Sequence, residues 1–139
     1  PPPPSLFFND RATSDIFTLS LHDALPIYVA EFVMDNREID VWFDENALWV
    51  MTENDVESLE KVPAPVAEAF MESIMSSMRL KDVRIITFPK HPTIIVIEVE
   101  VYNSNEEFQL FYAPDGKLLQ SLDVTELGGE IYPGLFFND

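Results

Sequence analysis

A strict alternation of apolar and polar residues begins at Tyr28 and constrains the fold more than any other feature of this chain. In one segment Ile39, Val41 and Phe43 alternate with acidic residues and a tryptophan. A period of two residues is typical of a β-strand with one buried and one solvated face. The first three such segments are 28–34, 38–44 and 47–52. Only short polar turns separate them, so the pattern predicts an antiparallel meander.

A helical period follows the meander. Val66, Phe70, Ile74 and Met78 recur at the spacing of one helix face, which predicts a helix over 64–78. A second apolar stripe beside it makes this face wider than contact with one sheet requires. Further alternating segments predict strands at 82–88, 93–102, 106–113 and 117–124. The predicted fold class is therefore α+β, an antiparallel sheet with one helix packed on one face.

The two halves of this pattern resemble each other. The segment EIDVWF at 38–43 aligns with EFQLFY at 107–112, and polar and apolar positions agree along the flanking strands. We therefore expect an internal duplication in which 28–62 is an incomplete first repeat of three strands. The second repeat, 63–124, has a helix and four strands. The remainder, 125–139, is a C-terminal tail to which the sequence assigns no role.

The start of the chain does not continue the pattern. Residues 5–27 read SLFFNDRATSDIFTLSLHDALPI and closely resemble translated sequencing-adapter sequence, so we expect 1–27 to be non-native. Ser20, His22 and Asp23 fall in this segment. Three neighbours in one short segment cannot supply the geometry of a catalytic triad. The ending GLFFND echoes SLFFND near the start, and the sequence leaves open whether that ending is native.

The charge balance narrows the classes of partner. The chain has 25 acidic and 8 basic residues and a formal charge of -17. So many carboxylates repel nucleic acid and anionic lipid, whereas cationic proteins remain open as partners. No uncharged run approaches the roughly 18 apolar residues of a membrane helix, so we expect no membrane insertion.

Residues that could carry chemistry are scarce. The chain has no cysteine, and its four glycines all lie in the last quarter, too late for a phosphate-binding loop. His91 lies in a turn between Lys90 and Pro92, and Asp44 to Asn46 lacks the glycine and the glutamate spacing of a calcium loop. We therefore expect no enzyme activity, no cofactor and no metal.

Large aromatic side chains on the polar faces of the strands are the candidate contact residues, because they alternate there with carboxylates. The predicted partner-binding residues are Trp42, Trp49, Tyr102, Phe111, Asp40, Glu98 and Glu100. Such a face suits a basic or amphipathic protein segment. Alternatively, Trp42 and Trp49 cover each other as a cross-strand pair. A different class of function is also open, a structural module that pairs with a second copy through its helix face and sheet edge.

The segment EIDVWFDENALWVMTENDVESLEKVPAPVAEAF at 38–70 and the turn FYAPDGKLL at 111–119 carry a recognisable pattern. Over approximately Tyr28 to Val124 the chain resembles the PepSY-like family of β-lactamase-inhibitor-like proteins. The resemblance implies tandem units of one helix on an antiparallel sheet and export to the periplasm or beyond, in bacteria of the Bacteroidetes type. It implies an inhibitor-like binding module without enzyme activity, although similarity of fold alone does not transfer function.

Overall fold

The computed structural model describes residues 5–6 and 28–138. A seven-stranded sheet dominates them, and a second sheet pairs β1 (Ser5–Leu6) with β9 (Phe137–Asn138). The strands of the large sheet are β2 (Tyr28–Met34), β3 (Arg37–Phe43), β4 (Trp49–Asp55), β5 (Arg79–Thr87), β6 (Ile94–Glu100), β7 (Glu107–Tyr112) and β8 (Leu118–Asp123). Helix α1 spans Ala64–Glu72, and short 3-10 helices span Leu59–Lys61, Ile74–Ser77 and Pro133–Leu135.

The large sheet is a meander, because its strands pair in chain order and every pair is antiparallel. The two-residue turn between β2 and β3 is built from Asp35 and Asn36, whose φ angles are +53° and +61°. Both residue types tolerate this left-handed backbone, which matches the twist of a tight hairpin. One helix on an antiparallel sheet confirms the predicted α+β class.

Helix α1 ends six residues earlier than predicted. Its last residue is Glu72, and Ser73 is extended with φ −83° and ψ 159° before a separate 3-10 turn begins. The Ser73 hydroxyl donates to the Phe70 carbonyl at 2.6 Å, and Ser76 Oγ donates to the Ser73 carbonyl at 2.7 Å. Serine side chains that bond to the preceding turn compete with helix continuation. The apolar spacing of 64–78 did not reveal this competition.

The face of the sheet that carries α1 is called the helix side. Val66 and Phe70 of α1 pack there against residues of β5, β6 and β7, in a core that includes Val83, Ile97 and Leu110. Gly116, in the turn after β7, lies under the start of the helix, and a Cβ there would come within 2.6 Å of the Pro65 carbonyl oxygen. The helix therefore covers the later half of the sheet.

The opposite face is called the tail side, and the C-terminal segment 125–138 covers its later half. Phe136 is fully buried there, with its ring 5.3 Å from that of Phe88 and 6.0 Å from that of Phe111. Ile131 and Leu135 belong to the same core. The expectation that each strand has one wet face is therefore wrong for β6, whose residues 94–99 are all buried. The tail, to which the sequence assigned no role, forms one wall of this core.

The predicted non-native segment lies outside the described residues, apart from Ser5–Leu6. The same holds for Ser20, His22 and Asp23. Of the helices between residues 28 and 138, none has the length and apolar character needed to cross a bilayer.

Candidate functional site

The predicted contact residues do not form one exposed surface. Asp40, Trp42, Glu98 and Phe111 do share the tail side, as their cross-strand registers require. However, Phe111 is fully buried and Glu98 is only 3% exposed, because the C-terminal segment lies over them. Their assignment to an exposed face is therefore wrong. Asp40 and Trp42 lie nearer the β2 edge and are half-buried.

The other three predicted residues lie at or near the ends of strands. Glu100 accepts from Arg79 at 2.6 Å, as a cross-strand ion pair at the end of β6. Tyr102 is 61% exposed in the turn that follows. Trp49 is exposed and donates from Nε1 to Thr52 Oγ1 at 2.9 Å. Glu100 thus lies on the tail side with Glu98, whereas Tyr102 lies beyond the end of β6 and Trp49 begins β4, so the three do not complete one surface.

The two tryptophans do not cover each other as a cross-strand pair. Trp42 lies opposite Met51 on β4 and Val29 on β2, whereas Trp49 lies opposite Phe43 after an irregularity in the register. Trp42 packs against the tail-side core, and its Nε1 is buried without a hydrogen-bond partner among the described residues.

A line of acidic residues crosses the tail side from the β2 edge inward. Glu31 on β2 lies opposite Asp40 on β3, and Asp40 lies opposite Glu53 on β4. These three residues are called the acidic row. Burial raises the pKa of Asp40 first, and the negative charges of Glu31 and Glu38 raise it further. The row therefore places like charges directly opposite one another on adjacent strands.

The inner end of the acidic row meets a carboxylate cluster around one arginine. Arg84 Nη2 lies 2.7 Å from Asp82 Oδ2, and Arg84 Nε lies 3.4 Å from Glu53 Oε1. Glu98 Oε2 is 4.0 Å from Arg84 Nη2. Asp55 lies opposite Arg84 in the strand register. Four carboxyl groups, those of Glu53, Asp55, Asp82 and Glu98, thus surround a single guanidinium.

Arg84 also holds the C-terminal segment in place. Its Nη1 donates to the Gly129 carbonyl at 2.8 Å, and Gln109 Nε2 donates to the same oxygen at 3.0 Å. The Glu98 side chain packs so closely under Gly129 that a Cβ at that position would overlap Glu98 Oε1. These contacts with Gly129 therefore connect the carboxylate cluster to the C-terminal segment.

Several carboxyl groups of the cluster are unusually weak acids. Burial raises the pKa of Glu53 to about 7 despite the opposing effect of Arg84. Burial also raises the pKa of Asp55 to about 7, together with its hydrogen bond to Asp82. The pKa of Glu98 is raised as well, again chiefly by burial. One arginine does not compensate the desolvation of so many carboxylates.

None of the four residues Glu53, Asp55, Asp82 and Arg84 was predicted from the sequence, although two features of the sequence point to the cluster. Glu53 and Asp55 share the face of the fully buried Met51 by strict alternation, and Arg84 is a basic residue at an inward position of a strand, two residues after Asp82. Both signals depend on knowing that the tail side is covered. No group of side chains within the described ranges has the arrangement needed to hold a metal ion.

Comparison with known proteins places the chain in a family. The model of the family described as "Putative beta-lactamase-inhibitor-like, PepSY-like" matches residues 27–120. The match extends over more than half of the chain, and the chain belongs to this family, as the resemblance predicted. A search of the curated proteins found no match.

Solved structures with the same fold come from species of Bacteroides. A DUF2874 family protein from Bacteroides uniformis is 29% identical, with a TM-score of 0.71 over 90% of this chain and 96% of that one. A BLIP-like protein from Bacteroides fragilis is 32% identical, with a TM-score of 0.69 over 96% of this chain and 95% of that one. A protein from Bacteroides eggerthii, described with the words "putative periplasmic proteins", is 30% identical, with a TM-score of 0.69 over 82% of this chain and 90% of that one.

Proposed function

We propose that this chain is a non-catalytic, exported binding module that holds a basic segment of a protein partner against its acidic row. The observation that carries the proposal is the register of Glu31, Asp40 and Glu53 across three adjacent strands. Like charges opposite one another destabilise a sheet, so the free protein carries a cost that a cationic partner removes. Glu53, at the inner end of the row, pairs with Arg84 at 3.4 Å, so the uncompensated repulsion lies between Glu31 and Asp40.

Apolar side chains beside the row give a partner contact area. Val29 and Val33 flank Glu31 on the same face of β2 and are 41% and 70% exposed. Trp42 lies opposite Val29 and supplies an aromatic edge to the same surface. Apolar groups bordered by carboxylates favour an amphipathic, basic segment, since the charges set orientation and the apolar groups provide burial.

Family membership supports the inhibitor-like form of this proposal. The family description names inhibitor-like proteins, and one similar structure is described as BLIP-like. Under this proposal the partner is an enzyme and the acidic row contacts a basic region near its active site. The description of the Bacteroides eggerthii protein supports export to the periplasm.

Charge removal tests the role of the acidic row. The immobilised chain is used to capture proteins from a periplasmic extract of a Bacteroides species, and each captured protein is purified and titrated calorimetrically. We expect E31Q combined with D40N to lower the affinity of the chain for the captured partner at least tenfold and to reduce the salt dependence of that affinity. E126Q combined with E130Q removes the same charge from the exposed start of the C-terminal segment and serves as the matched control.

The control sets the decisive comparison. Equal weakening by both double variants would mean that only net charge matters and would remove the acidic row from the proposal. Assaying the captured enzyme with and without the chain tests the inhibitory form. If a saturating concentration of the chain leaves the turnover of the enzyme unchanged, the chain is a binding module without inhibitory activity.

A second candidate function is assembly, and the β2 edge favours it. All seven residues of β2 are exposed, Glu31 is the only charged residue among them, and within residues 28–138 only β3 pairs with β2. Unprotected edges of this kind pair with other chains. Sedimentation velocity over a range of concentrations separates the two candidates. A binding module is expected to be a monomer. Assembly through the β2 edge is expected to give a dimer, and a charged substitution on β2 such as V33K should dissociate it.

A further inference from the structure

The first part of the C-terminal segment, residues 125–130, is a loop with no buried residue of its own. Buried residues anchor it at both ends, since Val124 precedes it and Ile131 follows it. The backbone amides of Leu127 and Gly128 both donate to the Val124 carbonyl at 3.1 Å. A loop with few buried apolar contacts opens locally at a lower cost in free energy than the strands beneath it.

The middle of this loop rests on the carboxylate cluster. The Gly129 carbonyl accepts from Arg84 Nη1 at 2.8 Å and from Gln109 Nε2 at 3.0 Å. The Glu98 side chain lies directly under Gly129, where a Cβ would overlap Glu98 Oε1. Glu98 and Gln109 are only 3% and 1% exposed. The loop therefore shields this part of the cluster from water.

One oxygen beneath the loop has no hydrogen-bond partner among the described residues. Glu98 Oε1 is that buried oxygen, while Glu98 Oε2 lies 4.0 Å from Arg84 Nη2. A buried polar atom without a partner is costly, and the cost is greater when the group is ionised. Opening of the loop lets water reach this oxygen, so ionisation of Glu98 favours the open loop.

The charge beneath the loop differs between acidic and alkaline pH. Burial raises the pKa values of Glu53 and Asp55 to about 7, and it also raises the pKa of Glu98. At pH 5 Glu53 and Asp55 therefore carry protons, and Arg84 has fewer carboxylates to compensate. At pH 8 both are ionised, and the cluster around one guanidinium is strongly negative. Water stabilises such a cluster better than a buried site does, so the closed loop is favoured at low pH and disfavoured as pH rises through 7.

Neighbouring charges do not offset this change. Lys81 is the one positive group that faces the cluster besides Arg84 among the described residues, and it already pairs with Glu107. The other charged groups nearby are acidic and lie on β3, after β4 and in the loop itself: Asp40, Glu57, Glu126 and Glu130. Ionisation of the cluster therefore adds negative charge to surroundings that are already acidic.

We propose that residues 125–130 form a lid over the carboxylate cluster, and that this lid is closed at pH 5 and opens as the pH rises to 8. In the closed state the Gly129 carbonyl is bound to Arg84 and Gln109. In the open state water replaces these two hydrogen bonds, and Glu98 becomes accessible at the inner end of the acidic row. Opening would lengthen the acidic surface for a basic segment, a consequence that rests on the proposed function, whereas the lid itself does not.

The four glycines of the chain allow a test with the full chain in solution. Gly128 and Gly129 lie in the lid, whereas Gly116 and Gly134 lie outside it. Glycine labelled with carbon-13 at Cα gives four NMR signals, which are recorded at pH 5 and pH 8 with and without a neutral gadolinium chelate. The relaxation that the chelate causes at the Hα protons measures their exposure to solvent. We expect this relaxation to rise at least threefold for Gly129 between pH 5 and pH 8, and to change less than twofold for Gly116 and Gly134.

Substitutions on one face of β6 separate the lid from general effects of charge. E98Q removes the charge under Gly129 and keeps the size of the side chain, so the relaxation of Gly129 at pH 8 should fall by at least half. E100Q removes the same charge two residues further along the tail side, where Glu100 pairs with Arg79, and should leave that relaxation unchanged. Circular dichroism verifies that the variants are folded. If E98Q does not fold, Q109M removes one donor to the Gly129 carbonyl and should raise the relaxation of Gly129 at pH 5.

Three results would overturn the proposal. The first is an equal relaxation of Gly129 at pH 5 and pH 8. The second is an equal rise for Gly116 and Gly134, which would indicate loosening of the whole fold rather than opening of the lid. The third is an equal relaxation of Gly129 in E98Q and E100Q at pH 8. Because the measurement uses the chain without a partner, this proposal and the proposed function fail independently.

Discussion

Arg84 supplies the positive charge for the buried carboxylates that surround it. Its side chain is 18% exposed, and it contacts carboxylates from three strands as well as the Gly129 carbonyl. Removing one partner of a buried ion pair leaves the remaining charge desolvated, which costs about 3–5 kcal/mol in proteins. An exposed pair is worth roughly 0–1 kcal/mol.

We therefore predict that R84M lowers the free energy of unfolding by about 3 kcal/mol at pH 8. The loss should be smaller at pH 5, because Glu53 and Asp55, whose pKa values are about 7, then carry protons and need less compensation. Urea denaturation at the two pH values measures both effects. R79M is the matched control, since Arg79 pairs with Glu100 from a side chain that is 55% exposed. A loss as large for R79M as for R84M would contradict the role given to burial.

Alternation placed residues on the correct side of the sheet but did not determine their exposure. Asp40, Trp42, Glu98 and Phe111 do share one side, as a period of two requires. Whether a side chain on that side is exposed depends on the C-terminal segment, which is distant in sequence. Glu98 and Phe111 were therefore expected at the surface, whereas the structure buries both.

At the scale of elements, local signals predicted the strands well and the helix end poorly. The meander depends on short-range alternation and on turn residues such as Asp35 and Asn36, which are visible in sequence. The end of α1 depends on hydroxyl bonds from Ser73 and Ser76 to carbonyl groups. Apolar spacing carries no information on that competition, so the predicted helix ran on to Met78.

The C-terminal segment is expected to contribute strongly to the stability of the fold through Phe136. We predict that F136A lowers the free energy of unfolding by about 3–5 kcal/mol, because Phe136 is fully buried and its ring packs between those of Phe88 and Phe111. Thermal and urea denaturation measure the loss. E130A, at an exposed position of the same segment, should change stability by less than about 0.5 kcal/mol. A stable F136A would show that the segment is not part of the core in solution.

At the scale of the whole molecule, the raised pKa values make stability depend on pH. Glu53 and Asp55 have pKa values of about 7 in the folded chain, above the ordinary values of 4.5 and 3.8 for these carboxyl groups. Between about pH 4 and 7 the folded state therefore binds more protons than the unfolded state, so stability falls as pH rises. The contribution is fully present below pH 4 and is lost as pH rises through 7.

We accordingly predict a lower urea midpoint at pH 8 than at pH 5. E53Q removes one of the two responsible carboxyl groups and should raise the midpoint at pH 8 while narrowing the difference between the two pH values. E130Q removes the same charge at an exposed site and controls for the general repulsion of an acidic chain. A midpoint that rises from pH 5 to pH 8 in the unsubstituted protein would contradict the burial of the cluster.

The meander order of the sheet has a consequence for how the molecule folds. Each strand pairs with its neighbour in the chain, so hairpins close short loops and lose little chain entropy, with the β4 to β5 connection through α1 as the longest. Contacts local in sequence favour rapid folding. The C-terminal segment contacts β5, β6 and β7 together, so its binding surface exists only after those strands have paired. Sheet formation and docking of the C-terminal segment are thus ordered in time, and the tail-side core is completed only in the second step.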